Sequence, residues 1–321
     1  MKYSLTALLL FVFTLVTAQQ HFIIQDSLTK APVPYASVNL LNNFGLYADA
    51  NGNFKIADTL IKQVEVSSMG YAAKKVSLKN KTGVLYLSPE PFAVEEVIVN
   101  AEYVKPDEKV IRPKGHQNNT KMAVSRMGMQ YAVYIPGTGT DSFISRLALP
   151  LMKNDFVFNY ETRKSVFIEL PYKTLVKIAF LDSNNGIPGE RFSDFEQVVV
   201  IGGGDQKLFE VELTQNVALP SNGIFVTFII LGKADDAGNL TNELSYDEVV
   251  YPDGRRERSW KQQQPNFPLY EVSKGQVPTF TRSSFDFDTV WRAIDKPLTF
   301  NPAATFNGFA VGIGYTLLTY K

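Results

Sequence analysis

Three features of the sequence predict an all-β fold of two β-sandwich domains, a small seven-stranded Greek-key sandwich followed by a larger jelly-roll-like one. Short apolar runs recur at close spacing, punctuated by Gly, Pro, Asn and Asp. No 3.6-residue periodicity persists over a helix length. The aromatic content, 23 Phe and 15 Tyr against 2 Trp and 2 His, suits strands better than a histidine-based catalytic centre. A chain of 321 residues is long enough for two cores.

Taken from the N-terminus, Lys2 and the apolar run 5–16, ending at Val16-Thr17-Ala18, have the pattern of a cleaved secretory signal over residues 1–18. The run is too short to span a bilayer, and no later stretch approaches the ~18 apolar residues of a membrane helix. The expected location is therefore extracytoplasmic: periplasm, or cell surface with outer-membrane association. Cysteine is absent, which removes thiol nucleophiles, thiolate metal sites and disulfides together. Lys plus Arg and Asp plus Glu balance at 32 each, so no net field draws the chain to nucleic acid.

Residues 19–101 read as the first sandwich, with strands at 22–25, 37–41, 45–48, 53–56, 63–67, 74–78, 84–87 and 96–100. Asn51-Gly52 is a hairpin signal, because both residues tolerate positive φ. Asp26, the 32–36 stretch, Val38, Asp49-x-x-Gly52-x-Phe54, Val64-x-Val66-Ser67 and Gly70-Tyr71 occur in one order and spacing. This set resembles the carboxypeptidase-regulatory-like β-sandwich of the transthyretin type, found in exported proteins of the Bacteroidetes type. The resemblance implies a structural or adhesive role; the peptidase chemistry of the name belongs to another domain. Neither His21 nor His116 has the Glu three residues on that such a zinc site needs. Residues 94–101 are similar to the energy-coupling box of TonB-dependent transporters. Residues 102–321 are too few for a plug and a 22-stranded barrel, which favours reading the box as an edge strand made soluble by Glu95 and Glu96.

Residues 102–121 are charged and Pro-bearing and read as a semi-extended linker that lets the domains move. Residues 122–321 form the second domain, with strands at 157–160, 165–169, 175–181, 197–201, 209–213, 223–231 and 308–318. The order of 144–149, 176–181, Gly186-Ile187-Pro188-Gly189, 209–213, Leu219-Pro220 and 225–231 resembles jelly-roll, galactose-binding-like modules.

Catalytic motifs are missing: no serine elbow, no His pair and no His-Glu-x-x-His. The sequence therefore predicts no enzyme and no cofactor. Asp286 and Asp288, on a strand, would share one face about 7 Å apart, as in a glycosidase pair, or form a polar outer face with Phe285 and Phe287 packed inward. Gly202-Gly203-Gly204-Asp205 lacks the Lys and helix of a phosphate loop and reads as a turn. The oxygen-rich turns 182–185 and 235–239 are turns first and do not complete a calcium loop; the expected metal is none. Trp291, beside Val290 and Ile294, reads as core.

The surface feature that points to recognition is Tyr251-Pro252-Asp253-Gly254-Arg255-Arg256-Glu257-Arg258-Ser259-Trp260, running into 261–268. Aromatics flanked by Arg and amides suit sugar platforms and protein hot spots. Tyr251, Arg255, Arg256 and Trp260 are the candidate ligand-binding residues. The alternative is a solvated loop whose Trp260 caps one end of the sandwich. The expected function is a non-catalytic extracytoplasmic binding or scaffolding protein of the cell envelope, with an envelope protein or glycan as partner. The alternatives are a carbohydrate-binding module and an accessory component of an outer-membrane uptake system.

Overall fold

A computed structural model describes residues 20–56, 61–78, 83–90, 105–114, 122–152, 155–159, 164–168, 172–202, 207–251, 253–286, 288–295 and 308–320. The expectations for residues 1–18, the 94–101 box with its 96–100 strand, His116, Gly203-Gly204-Asp205, Pro252 and Phe287 lie outside the described residues. Among the described residues the regular elements are all strands, and no helix is long and apolar enough to cross a membrane.

The N-terminal strands are β1 (Gln20–Asp26), β2 (Ser37–Asn39), β3 (Gly45–Tyr47), β4 (Asn53–Ile56), β5 (Gln63–Ser67), β6 (Lys74–Ser77) and β7 (Gly83–Leu87). They form a three-stranded sheet, β4-β1-β7, and a four-stranded sheet, β3-β2-β5-β6. Period-two alternation sends Phe22, Ile24, Val38, Leu46, Phe54, Ile56, Val64, Val66, Val76 and Leu85 into one shared core. Phe22 and Phe54 face each other in register and stack at 5.1 Å. The expected turn at Asn51-Gly52 forms around Asp49, whose Oδ1 accepts the amides of Asn51 and Asn53.

Asp26 ties the end of β1 to the Gly70-Tyr71 corner. Its Oδ1 accepts the Thr29 and Leu28 amides at 2.9 and 2.7 Å, and its Oδ2 accepts the Tyr71 hydroxyl at 3.1 Å. These bonds, the Thr29 amide foremost, hold the carboxyl below its usual value. A depressed folded pKa means that the stabilisation is present above the unfolded value of about 4 and is lost as pH falls through the folded value. Asp26→Asn is expected to flatten the acid limb of stability below about pH 4, read as urea midpoints across pH. An unchanged acid limb in the variant contradicts this.

The remaining strands are β8 (Asp107–Ile111), β9 (Met122–Arg126), β10 (Met129–Ile135), β11 (Ser142–Pro150), β12 (Asp155–Asn159), β13 (Lys164–Ile168), β14 (Lys173–Asn184), β15 (Ile187–Gly202), β16 (Leu208–Leu219), β17 (Ile224–Lys233), β18 (Tyr246–Val250), β19 (Arg256–Trp260), β20 (Gln262–Glu271), β21 (Phe280–Ser283), β22 (Arg292–Ala293), β23 (Phe309–Val311) and β24 (Gly314–Thr319). A six-stranded sheet, β15-β14-β17-β10-β21-β22, shares a core with a four-stranded sheet, β16-β11-β24-β8, and a three-stranded sheet, β23-β20-β9; β12-β13 and β18-β19 are separate hairpins.

The centre of the six-stranded sheet is covered on both faces, which is why β14 and β17 read as near-continuous apolar runs rather than alternating ones. Ile224, Val226, Phe228 and Ile230 enter the main core, while Phe225, Ile229 and Leu231 enter two smaller clusters on the opposite face. One of those clusters also contains Tyr47 of β3, so the N-terminal sheets cover part of that second face.

The structure differs from the sequence expectation in several places. Asp107–Ile111, read as linker, pairs antiparallel with β24 as an edge strand, its outward charges keeping that edge soluble. The 308–318 run divides into β23 and β24, which join different sheets. The break falls at Gly312, where the backbone of Lys114 bridges to it and leaves no room for a Cβ. Residues 284–286 leave the strand after Ser283 and bend, so Asp286 and Asp288 do not share a strand face.

The expected freedom between the N-terminal sheets and the rest gives way to a packed junction. The Phe285 ring inserts between Gly45 and Gly128 so closely that a Cβ on either glycine would overlap it. Gly45 donates its amide to Ser245 Oγ at 2.9 Å and accepts the Ser245 amide, and Asn39 Nδ2 donates to the Phe285 carbonyl. Phe44 stacks on both Tyr246 and Trp260, at 4.8 and 4.5 Å.

Candidate functional site

The four residues nominated from sequence lie on or beside the β18-β19 hairpin, whose turn carries Gly254 at φ +84°. Tyr251 and Arg255 close its tip. The Arg255 guanidinium lies 4.7 Å over the Tyr251 ring and pairs with Asp253 and Glu257, while the Tyr251 hydroxyl donates to Glu257 at 2.9 Å. Arg256 pairs across the hairpin with Glu248 at 3.7 Å. Trp260 sits at the other end, opposite Tyr246, about 14 Å along the strand from the tip at the usual rise per residue. Its ring is half-buried against Phe44, with the Arg126 guanidinium 4.0 Å away over it. The structure thus brings Tyr251 and Arg255 together at an exposed tip and leaves Trp260 in the junction, capping the packed sheets.

The two carboxylates weighed as a catalytic pair are each engaged by a different arginine. Asp286 lies 3.8 Å from Arg126, and Asp288 holds Arg292 through both oxygens at 2.7 and 2.6 Å. The Asp235 carboxylate accepts the Asn239 amide at 2.8 Å to close its own turn, and Asn185-Gly186, both at positive φ, make the two-residue hairpin between β14 and β15. Among the described residues, no cluster of three or more His, Asp or Glu is placed to hold a metal ion.

A concave site that sequence reading did not nominate lies at the junction. It is a cleft of about 300 Å3, floored by the six-stranded sheet and roofed by β3, β2 and β5 with the Ser68-Met69 turn. The floor is one cross-strand row: Lys177 of β14 opposes Ile229 of β17, Ile229 opposes Gln130 of β10, and Gln130 opposes Arg282 of β21. The roof is a second row, in which Ser37 of β2 opposes both Tyr47 of β3 and Ser67 of β5. Roof residues alternate with Val38, Leu46 and Val66, which point into the N-terminal core, so the roof is the outer face of that sheet.

A hydrogen-bonded chain crosses the cleft. Arg282 Nε donates to Gln130 Oε1 at 2.9 Å, Gln130 Nε2 donates to Ser284 Oγ at 2.7 Å, and the Tyr47 hydroxyl bonds Ser284 Oγ at 2.7 Å. The Arg282 guanidinium also lies 4.2 Å over the ring of Trp291, which is partly buried against the cluster of Ala132, Leu181, Phe225 and Phe280. Burial lowers the Arg282 pKa to about 10, opposed in part by Tyr47, and burial raises that of Tyr47. At neutral pH Arg282 is cationic and Tyr47 is neutral. Lys177 is only 5% exposed and pairs with Glu196 at 3.3 Å. The Ser37 hydroxyl is buried with no hydrogen-bond partner.

The lining offers cations, hydroxyls and an amide. It holds no carboxylate, histidine or thiol to act as general base or nucleophile. No protein family, curated protein or solved structure matched the chain.

Proposed function

We propose that the chain is an exported, non-catalytic binding protein of the cell envelope that takes its ligand in the junction cleft. The observation that carries this reading is the facing of two polar cross-strand rows, Lys177-Gln130-Arg282 and Tyr47-Ser37-Ser67, around a space that excludes neither water nor a small ligand. A volume of about 300 Å3 is at the lower end of ligand pockets and suits a monosaccharide-sized group. Export is supported by the signal-like segment 1–18, and a glycan partner by the jelly-roll resemblance.

The exposed hairpin tip, with Val249 and Val250 beside Tyr251 and Arg255, favours a second reading in which a protein partner docks there and the chain acts as a scaffold. A glycan array with the purified chain separates the two. Binding that is lost in Ser68→Trp, which fills the cleft wall, and kept in Tyr251→Ala is the expected result. Binding lost only in Tyr251→Ala moves the site to the hairpin, and turnover of a bound glycan overturns the non-catalytic reading.

A further inference from the structure

We propose that the cleft is an oxyanion site that seats a carboxylate, sulfate or phosphate group against Arg282; this rests on reading the cleft as the binding site. The argument is a count of donors and acceptors. Arg282 spends its Nε on Gln130, and the Nη1 and Nη2 groups, carrying the four remaining N–H donors, have no hydrogen-bond partner among the described residues. Ser284 Oγ already receives Gln130 Nε2, so in the Tyr47–Ser284 pair one hydroxyl proton is left without an acceptor whichever group donates. The Ser37 hydroxyl of the roof, nine-tenths buried, has neither its proton nor its oxygen engaged. Lys177 brings a second buried cation at the far end of the row, paired with Glu196.

The charged groups of the cleft, Arg282 and Lys177, can only donate, and its hydroxyls can each turn a proton to a ligand. A buried site with unspent donors is stabilised by a ligand that supplies acceptors. The paired Nη1 and Nη2 edge fits two oxygens of one oxyanion, the geometry in which a guanidinium binds strongly and an ammonium less well. Gln130 and Trp291 hold that edge in place, since one fixes Nε and the other stacks on the guanidinium plane. The same desolvation that lowers the Arg282 pKa strengthens its attraction for an anion.

The test is isothermal titration of the purified full chain, at constant ionic strength in chloride, with inorganic sulfate, inorganic phosphate, glucuronate, galactose 6-sulfate and neutral galactose. The first two probes represent a free anion and the next two the same chemistry carried on a sugar. At least one anion should bind, galactose should not match it, and affinity should fall at least tenfold in Arg282→Gln. Arg282→Lys should recover only part of the loss, and Arg146→Gln, at an exposed ion pair elsewhere, should have no effect. Anion binding that is unchanged in Arg282→Gln, or absent from the unsubstituted chain, overturns the proposal. Should Arg282→Gln fail to fold, Ser284→Ala and Ser68→Trp carry the test, and anion affinity unchanged in both overturns it. A neutral sugar that binds and is lost in Ser68→Trp, with no anion binding, refutes the oxyanion site and leaves the cleft reading standing.

Discussion

Phe285→Ala is expected to cost about 3 to 5 kcal/mol, the range for a fully buried phenylalanine whose site does not collapse. The ring is 1% exposed and lies in the cluster that joins Tyr47 of β3 to Leu175, Ile229 and Leu231 of the six-stranded sheet. The two glycines that flank it, Gly45 and Gly128, have no side chains to move into the space it leaves. The loss falls on the junction, so urea unfolding, expected in a single transition for the unsubstituted chain, should separate into two. Far-ultraviolet dichroism reports on both sheet assemblies, whereas Trp260 and Trp291 fluorescence reports from the junction and from beside Arg282. Gly45→Ala should act in the same direction, because its Cβ would occupy the ring's position. Ligand affinity should fall with stability, since Tyr47 and Ser284 reach the cleft from opposite sides of that junction. A loss below about 1 kcal/mol, with a single transition kept, would show that the ring is not what couples the two sides.

The all-β fold and the seven N-terminal strands were legible because their signals are local. Alternation, β-branched residues and Asn-Gly turns act within a few residues, and β4 and β5 fall where the sequence puts them. The hairpin at 246–260 was hidden by its composition: Asp247, Glu248, Arg256 and Glu257 face solvent on a ribbon exposed over much of both sides, so charge masks the strand pattern. The strand weighed for Asp286 and Asp288 gave way to Phe285, which is buried at the junction where the chain bends after Ser283. The cleft was the least legible feature. Its row joins Lys177, Gln130 and Arg282, which are far apart in sequence, and only the pairing register of four strands aligns them. One signal was present: Lys177 interrupts an apolar run from Leu175 to Leu181, and a lone cation on a strand buried on both faces calls for a partner.

Trp260→Ala is the second large effect expected, and it separates the two readings the sequence left open, a sugar platform and a cap on the sandwich. If the indole were an exposed sugar platform, its removal would abolish ligand binding and leave stability nearly unchanged. The structure instead places it between Phe44 of the N-terminal sheets and the Arg126 guanidinium, whose Nε is buried without a partner. Arg126 already has its pKa lowered by burial, opposed by Asp286 at 3.8 Å, so uncovering it changes the surroundings of a charge already poorly solvated. Truncation should therefore cost about 2 to 3 kcal/mol, less than for a fully buried tryptophan because part of the side chain still meets solvent. Ligand affinity should fall only as far as the junction loosens, and Trp260→Phe should restore most of both. The discriminating measurement is urea unfolding and ligand titration on the same variants. Lost affinity with unchanged stability would return the binding surface to Trp260 and the hairpin. Lost stability that Trp260→Phe recovers assigns the indole to holding the cleft's roof against its floor.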